Sequence, residues 1–459
     1  MSTSTTSTPA SSKNMQVFGS TVNKNVFWTL VMCSAYGVAD NLWSGTVFAA
    51  YLKLLYGDSN TAVGYVEASN GLAGLFTALP IGYLADKYPR SNICKAGSVV
   101  LVVTACLHAY ILLWVGDEIP SSSRQDTCLF LFVGVMFLWG AGNGVVNGPL
   151  QALYADSIPV GDRSKYYVYL FAAYMLASTV GPALSIILFQ IWGDDWELGE
   201  LKNIMLVGMG MEIFAAVFLL TVDDEYALIE KEEEEEEKEE GEKEEEEKEE
   251  KEEKPSEEDE EKKSSEEELG DSLAGYSNSL TAPGESPEAA SAFAASALKA
   301  RRRKIPYMLF SFDLLVSLGS GMTVKFFPLY FKDDANLSPT MVQVIYIAAP
   351  IIIVAISQAA QVVSKSLGRV QTILTVKALG LSFLYAIVFF NDYLTSRPAL
   401  LIPFYLARTG LMNCTYPLAE SILMDFVPKN ERARWKSLES VGAFGWCGSA
   451  LVGGYLADK

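Results

Sequence analysis

Residues 82–91 read Gly82-Tyr83-Leu84-Ala85-Asp86-Lys87-Tyr88-Pro89-Arg90-Ser91 and join two long apolar stretches. Bases at a span end set membrane topology, and acids add little to that signal. An acid ahead of two bases in so short a connection therefore calls for a partner. Gly82 removes a side chain and lets a neighbouring helix approach. Asp86 can meet a helix N-terminus, whose partial charge favours a carboxylate by about 0.3–1 kcal/mol. Arg90 can pair with an acid from another loop on the same side. The hexapeptide Gly-Tyr-Leu-Ala-Asp-Lys returns as residues 454–459.

Around this loop the chain is 459 residues long and 50% hydrophobic, yet its formal charge is −20. The acidity is local. Residues 230–268 hold 26 acids and 8 bases; removing them from totals of 55 and 35 leaves 29 against 27. The remainder is near neutral and strongly apolar. A membrane helix needs roughly 20 apolar residues. Spans are expected near 26–51, 61–85, 93–116, 128–154, 165–191, 203–222, 306–331, 340–364, 370–390, 398–424 and 436–456. Lipid offers no partner to backbone groups, so these segments should be helices. The six cysteines lie in or beside spans without metal-ligand spacing and read as small buried residues. No apolar leader precedes Val26, so the first span serves as its own insertion signal.

With the N-terminus in the cytoplasm, the inner loops hold 15 bases, among them Lys87, Arg90, Arg163, Arg301 to Lys304, Lys365, Arg369 and Arg432. The outer loops hold 5: Lys53, Arg124, Lys202, Lys332 and Arg397. This asymmetry supports that orientation, in a plasma or organelle membrane. The segment 223–304 becomes one long inner loop. Its Glu/Lys tract has too little apolar surface for a core and reads as a disordered linker.

An internal repeat organises the chain. Asp156-Ser-Ile-Pro159-Val-Gly-Asp162-Arg163-Ser-Lys165 follows the fourth span. Asp425-Phe-Val-Pro428-Lys-Asn-Glu431-Arg432-Ala-Arg434 follows the tenth. Both fit D-x-x-P-x-x-[DE]-R-x-[KR], and two six-span halves in parallel orientation would produce them.

Two repeated halves, a long central inner loop and the 82–91 loop resemble the major facilitator superfamily of secondary transporters. The family's loop pattern is G-x-x-x-D-[RK]-x-G-[RK]-[RK]. Gly82, Asp86, Lys87 and Arg90 match it, whereas Pro89 and Ser91 depart from it. The resemblance implies an all-α integral membrane fold of two six-helix bundles in pseudo-two-fold arrangement, with eleven transmembrane helices visible of an expected twelve. The organisation expected is then 1–25, a cytoplasmic N-terminus; 26–222, the first bundle; 223–304, the acidic loop; and 305–459, a second bundle lacking its last helix. By the same resemblance Gly82, Asp86, Lys87, Arg90, Asp156, Arg163, Asp425 and Arg432 form an inner gate that ties the bundles together when the cavity opens outward. The hexapeptide at 454–459 leaves the eleventh span on the outer side, so Asp458 is expected to cap a helix end there. Gly181-Pro182 in the fifth span predicts a kink.

In this fold the first, fourth, seventh and tenth helices line the cavity. At 1.5 Å per residue, Asp40 lies roughly 21 Å and Asp313 roughly 12 Å from the inner side, and Arg408 about 15 Å from the outer side. Asn143 and Asn147 fall mid-span, and Lys325 near the outer end. A charge at mid-bilayer costs at least ~2.5–3.5 kcal/mol. Burial favours the protonated form of a carboxyl, which makes Asp40 and Asp313 candidates for proton coupling. Arg408 and Lys325 could hold an anionic group. The alternatives are an internal Asp40–Arg408 pair that fixes packing, and a Lys325 that snorkels to the surface. Glu67 and Glu420 lie nearer span ends. Glu212 and Lys377 sit on the sixth and ninth spans, peripheral in this fold, and are set aside. His108, the one histidine, reads as a packed residue. Trp43, Trp139, Tyr154 and Tyr174 either pack or stack on a ring-shaped substrate.

Two functions fit. One is a secondary active transporter of a small solute, anionic if Arg408 holds it, with protons as candidate coupling ions. The other is a non-transporting membrane sensor or scaffold that signals through the acidic loop. No nucleophile–histidine arrangement, nucleotide loop or metal cluster points to an enzyme, a metal or a cofactor. A monomer in the lipid bilayer is expected, with no nucleic-acid partner.

Overall fold

A computed structural model describes residues 14–17, 20–85, 87–159, 163–228, 287–419, 422 and 439–459. A short antiparallel hairpin, β1 (Asn14–Val17) and β2 (Ser20–Asn23), leads into the first helix. The first seven helices are α1 (Lys24–Trp43), α2 (Thr46–Leu55), α3 (Asn60–Ala85), α4 (Arg90–Val115), α5 (Ser122–Asp156), α6 (Arg163–Trp192) and α7 (Leu198–Val217). After the acidic tract come α8 (Pro287–Val324), α9 (Phe327–Asp333), α10 (Pro339–Leu367), α11 (Arg369–Phe389), α12 (Pro398–Asn413) and α13 (Glu439–Ala457). Among the described residues, seven helices are long and apolar enough to cross a membrane. Their outer faces carry large apolar side chains such as Phe130 and Phe389, each more than three-quarters exposed. Water would not tolerate such a sheath; lipid requires it.

Every expected span meets a helix, but three of them are broken, the tenth at Cys414–Thr415 just after α12. The first is α1 and α2, interrupted at Ser44–Gly45, where the Ser44 N–H closes the last turn on the Asp40 carbonyl at 2.9 Å. The seventh is α8 and α9, interrupted at Lys325–Phe326 just ahead of Pro328. Proline lacks an N–H and suits only a first helical turn. The first spans of both halves therefore break near charged residues, with Asp40 one turn ahead of the first break and Lys325 within the second. The seventh helix also begins earlier than expected, at Pro287. Residues 287–304 were assigned to the disordered loop, yet their alanine-rich sequence favours helix. Pro182 lies inside α6, which runs from Arg163 to Trp192. A Cβ at Gly181 would lie 2.8 Å from the Val38 carbonyl, so its absence lets α1 and α6 touch.

The seam between the halves is reciprocal. The second span of the first half, α3, lies along the fifth of the second, α13; the fifth span of the first half, α6, lies along the second of the second, α10. That exchange is what a pseudo-two-fold axis between repeated halves produces. The α3–α13 seam is backbone-close: a Cβ at Gly64 would sit 2.7 Å from the Ala450 carbonyl. Small residues permit such contact between membrane helices.

Candidate functional site

The two ends of the molecule are held differently. At the end opposite the basic loops, the halves are bonded to each other. Lys53 on α2 pairs with Asp333 on α9. The Trp196 indole N–H donates to the Leu337 carbonyl at 2.9 Å, and the Thr340 amide to Asp194 at 2.8 Å. Asp458 accepts from the amides of Asn60 and Thr61 at 2.6 and 2.8 Å and from the Ser59 hydroxyl at 3.0 Å. The helix-capping role expected of Asp458 is thus observed, on the first turn of α3 in the other half.

At the basic end, the bonds of the described gate residues lie within the N-terminal half. Arg90 pairs with Asp156, and Lys87 sits 4.3 Å from the Tyr83 ring. Among the described residues, nothing lies within 4 Å of a Cβ placed at Gly82. The close approach expected at Gly82 is not seen among the described residues. The amides at the start of α4 are capped by Asp224, which accepts from Arg90 at 3.1 Å and Ser91 at 2.8 Å. Asp86, Asp425, Arg432 and the Arg163 side chain lie outside the described residues. Asp224 escaped the sequence reading because Asp223-Asp224-Glu225 runs into the acidic tract. Its position directly after the sixth span was the available signal. Asp223 joins the same network through Lys95 at 3.2 Å and Asn25 at 2.8 and 2.9 Å.

Within the membrane the candidate residues fall into three groups. Asp40 lies on α1 one turn before the break, with the Ser44 side chain in hydrogen-bonding reach and Lys325 and Glu67 in electrostatic reach. Lys325 donates to Glu67 Oε2 at 2.7 Å. It therefore neither snorkels nor stands ready for a substrate anion, and Glu67, given little weight from its place near a span end, is its partner. Arg408 stands apart from Asp40, so the alternative Asp40–Arg408 pair is not formed. Its guanidinium lies 5.2 Å from the Phe327 ring, beside Tyr346 and Tyr405. Arg408 is 4% exposed, and its Nε has no hydrogen-bond partner among the described residues.

The remaining candidates are more dispersed. Asn143 accepts from the Tyr36 hydroxyl at 2.9 Å, linking α5 to α1, whereas Asn147 is exposed. Asp313 is exposed on α8; its Oδ2 would lie 3.8 Å from a Cβ at Gly442 on α13. It also lies in the field of Lys377, whose ammonium reaches the Met412 carbonyl at 3.4 Å. Glu212 is 2% exposed; Oε1 accepts from the Trp43 indole at 3.0 Å and Oε2 has no partner among the described residues. Span-level placement set aside both Glu212 and Lys377; only the packing of α7 on α1 and α11 on α12 reveals them. Trp43 and Trp139 are core residues packed around His108, which accepts from the Trp139 indole at 3.2 Å. Tyr154 is likewise buried, so none of these three offers a stacking face, whereas Tyr174 is 57% exposed.

The Major Facilitator Superfamily model matches residues 29–454. The chain belongs to this superfamily. Solved structures agree at the level of fold. A bacterial homologue of the iron transporter ferroportin in an inward-facing state matches with a TM-score of 0.60 at 12% identity, covering 94% of this chain and 90% of that one. A D-xylose–proton symporter matches at 0.59 and 13%, covering 92% and 87%. The nucleoside transporter NupG matches at 0.55 and 12%, covering 94% and 90%. No curated protein matches the chain by sequence. The protein is a multi-pass secondary active transporter rather than an enzyme. These likenesses lend no support to the sensor alternative.

Proposed function

We propose that this superfamily member carries a small solute with an anionic group, coupled to protons, by rocking its two halves about the α3–α13 and α6–α10 seams. One observation carries the substrate class: Arg408 is buried at membrane depth with an unpaired Nε–H. A guanidinium so placed is costly until an acceptor arrives, and a carboxylate or phosphate supplies two in a fork that matches it. Phe327, Tyr346 and Tyr405 exclude water around it and strengthen that attraction. Asp40 is the proton carrier, with Asp313, Asn143 and Asn147 as polar contacts on the other cavity helices. The protein acts as a monomer with its N-terminus in the cytoplasm, as the excess of bases on that side favours. Bonds between the halves at the opposite end support reading this state as open to the cytoplasm, with Arg90 and Asp156 paired within one half.

Purified protein screened by thermal shift against a metabolite library sorted by charge tests the substrate class. A ligand at 100 times its Kd adds about 2.7 kcal/mol of stability. Anionic members should stabilise wild type and lose their effect on Arg408→Ala. Stabilisation by neutral solutes alone would overturn the assignment.

A further inference from the structure

A groove runs along the side of the first half where α1 and α7 lie together. Its floor is one face of α1 from Phe27 to Val38, its wall is Met211 and Phe214 of α7, and its volume is about 530 Å³. Sites that hold small ligands enclose ~300–1,000 Å³, so the groove is large enough to seat one. Ser34 is the one lining residue with a polar side chain, and its hydroxyl donates to the Leu30 carbonyl at 2.8 Å. The groove thus offers nothing to a polar solute. It opens sideways past Phe214, which is 63% exposed and belongs to the apolar sheath that faces lipid. At 1.5 Å per residue the floor from Phe27 to Val38 is about 16 Å long. Half of a ~30 Å hydrocarbon core is about 15 Å, the depth that one acyl chain fills. The groove begins within the first turn of α1, so it lies in the leaflet on the side of the basic loops.

A cation stands at its mouth. Lys24 opens α1 and shares the groove face with Phe27 and Val31, at i, i+3 and i+7. Its ammonium lies 4.8 Å from the centre of the Tyr226 ring, and Tyr226 is itself held by the Asn23 amide, which donates to its carbonyl at 2.6 Å. The aspartates of this end are engaged elsewhere. Asp156 pairs with Arg90, Asp223 with Lys95, and Asp224 accepts from the amides of Arg90 and Ser91. Among the described residues Lys24 pairs with no carboxylate. An ammonium at headgroup level without an acid of its own attracts a lipid phosphate. A free phosphate would use the cation and leave the groove empty, whereas a phospholipid uses both.

We propose that the α1–α7 groove is a binding site for one anionic phospholipid from the leaflet at the basic end. One acyl chain lies along α1 from Phe27 to Val38, against Met211 and Phe214, and the headgroup phosphate rests on Lys24. The site is separate from the solute site around Arg408 and stands whether or not that assignment holds.

The test is native mass spectrometry of the full-length protein in detergent, with phosphatidylglycerol or phosphatidylcholine of the same chain length added at equal concentration. Wild type should retain one phosphatidylglycerol, about 5-fold more strongly than phosphatidylcholine, as expected of one base beside an anionic headgroup. Lys24→Gln should erase that preference and leave phosphatidylcholine retention as it was. Ala35→Phe, which fills the groove midway along its floor, should lower retention of both lipids. Val388→Ala, on the lipid-facing side of α11, should lower neither. Wild type that retains neither lipid overturns the site. So does retention by Ala35→Phe equal to wild type, or a loss on Val388→Ala as large as on Ala35→Phe, which marks an unspecific lipid coat. A preference for phosphatidylglycerol that survives Lys24→Gln overturns it as well, and that substitution at the end of a helix keeps the proposal falsifiable should Ala35→Phe fail to fold.

Discussion

Asp458→Ala removes a cap that one half places on the other. Its carboxylate serves the Asn60 and Thr61 amides and the Ser59 hydroxyl, while Ser59 itself serves the Ala62 amide at 3.3 Å. Losing a capping side chain costs about 1 kcal/mol, with a range of ~0.5–2. The acidity of Asp458 gives a second measure. Partial burial works against its ionisation, but the bonds from Thr61, Asn60 and Ser59 outweigh that and push its pKa down from 3.8 to about 2. Taken in full, that shift amounts to roughly 2.4 kcal/mol. Asp458 is exposed, so solvent screening reduces it to about 1 kcal/mol. The two figures agree, and 1 kcal/mol is about a 5-fold change in an opening equilibrium. Hydrogen exchange of the segment 58–64 reads that change: Asp458→Ala should exchange about 5-fold faster than wild type. The sign with pH follows from the lowered value. The contribution is complete above pH 3.8 and is lost as pH falls through about 2, so the variant-to-wild-type ratio should hold from pH 4 to 8 and shrink toward unity near pH 2. Equal exchange at pH 7, or a ratio that persists at pH 2, would refute the cap.

Further expectations concern the interior and the basic end. Trp43→Phe leaves Glu212 Oε1 without its donor, and should lower stability by about 1–3 kcal/mol; a melting curve identical to wild type would show that the bond contributes nothing. Asp224→Ala uncaps α4, and should speed amide exchange over residues 90–93 by about 5-fold for a loss of ~1 kcal/mol; protection equal to wild type would remove Asp224 from the gate network. Deleting residues 230–268 should leave solute uptake in proteoliposomes unchanged, and loss of uptake would show that the acidic tract is more than a linker.

The fold was legible because membrane helices announce themselves by length and because the repeat after the fourth and tenth spans exposed the duplication. The loop at 82–91 added the family. Helix breaks were less visible: Gly45 and Pro328 each sit inside an apolar run that reads as one span, and only the path of the backbone shows the interruption. Pairings between distant segments were not legible at all. Lys325 and Glu67 are 258 residues apart, and their bond depends on how α3 lies along the other half. Placement by span number did not show that Glu212 is buried against Trp43, since a helix that is peripheral as a whole can still turn one side chain inward. Arg408 stood out in the sequence because a charge deep in a span is costly wherever its helix lies. Its aromatic surroundings, however, come from α9 and α10 and required the packing.

Transport itself is the claim most directly open to measurement. Purified protein reconstituted in liposomes, screened for uptake of radiolabelled solutes with and without an imposed pH gradient, should accumulate an anionic solute under the gradient. Asp40→Asn should abolish that accumulation while sparing exchange. Folded, correctly inserted protein that moves no solute of any class would contradict the account.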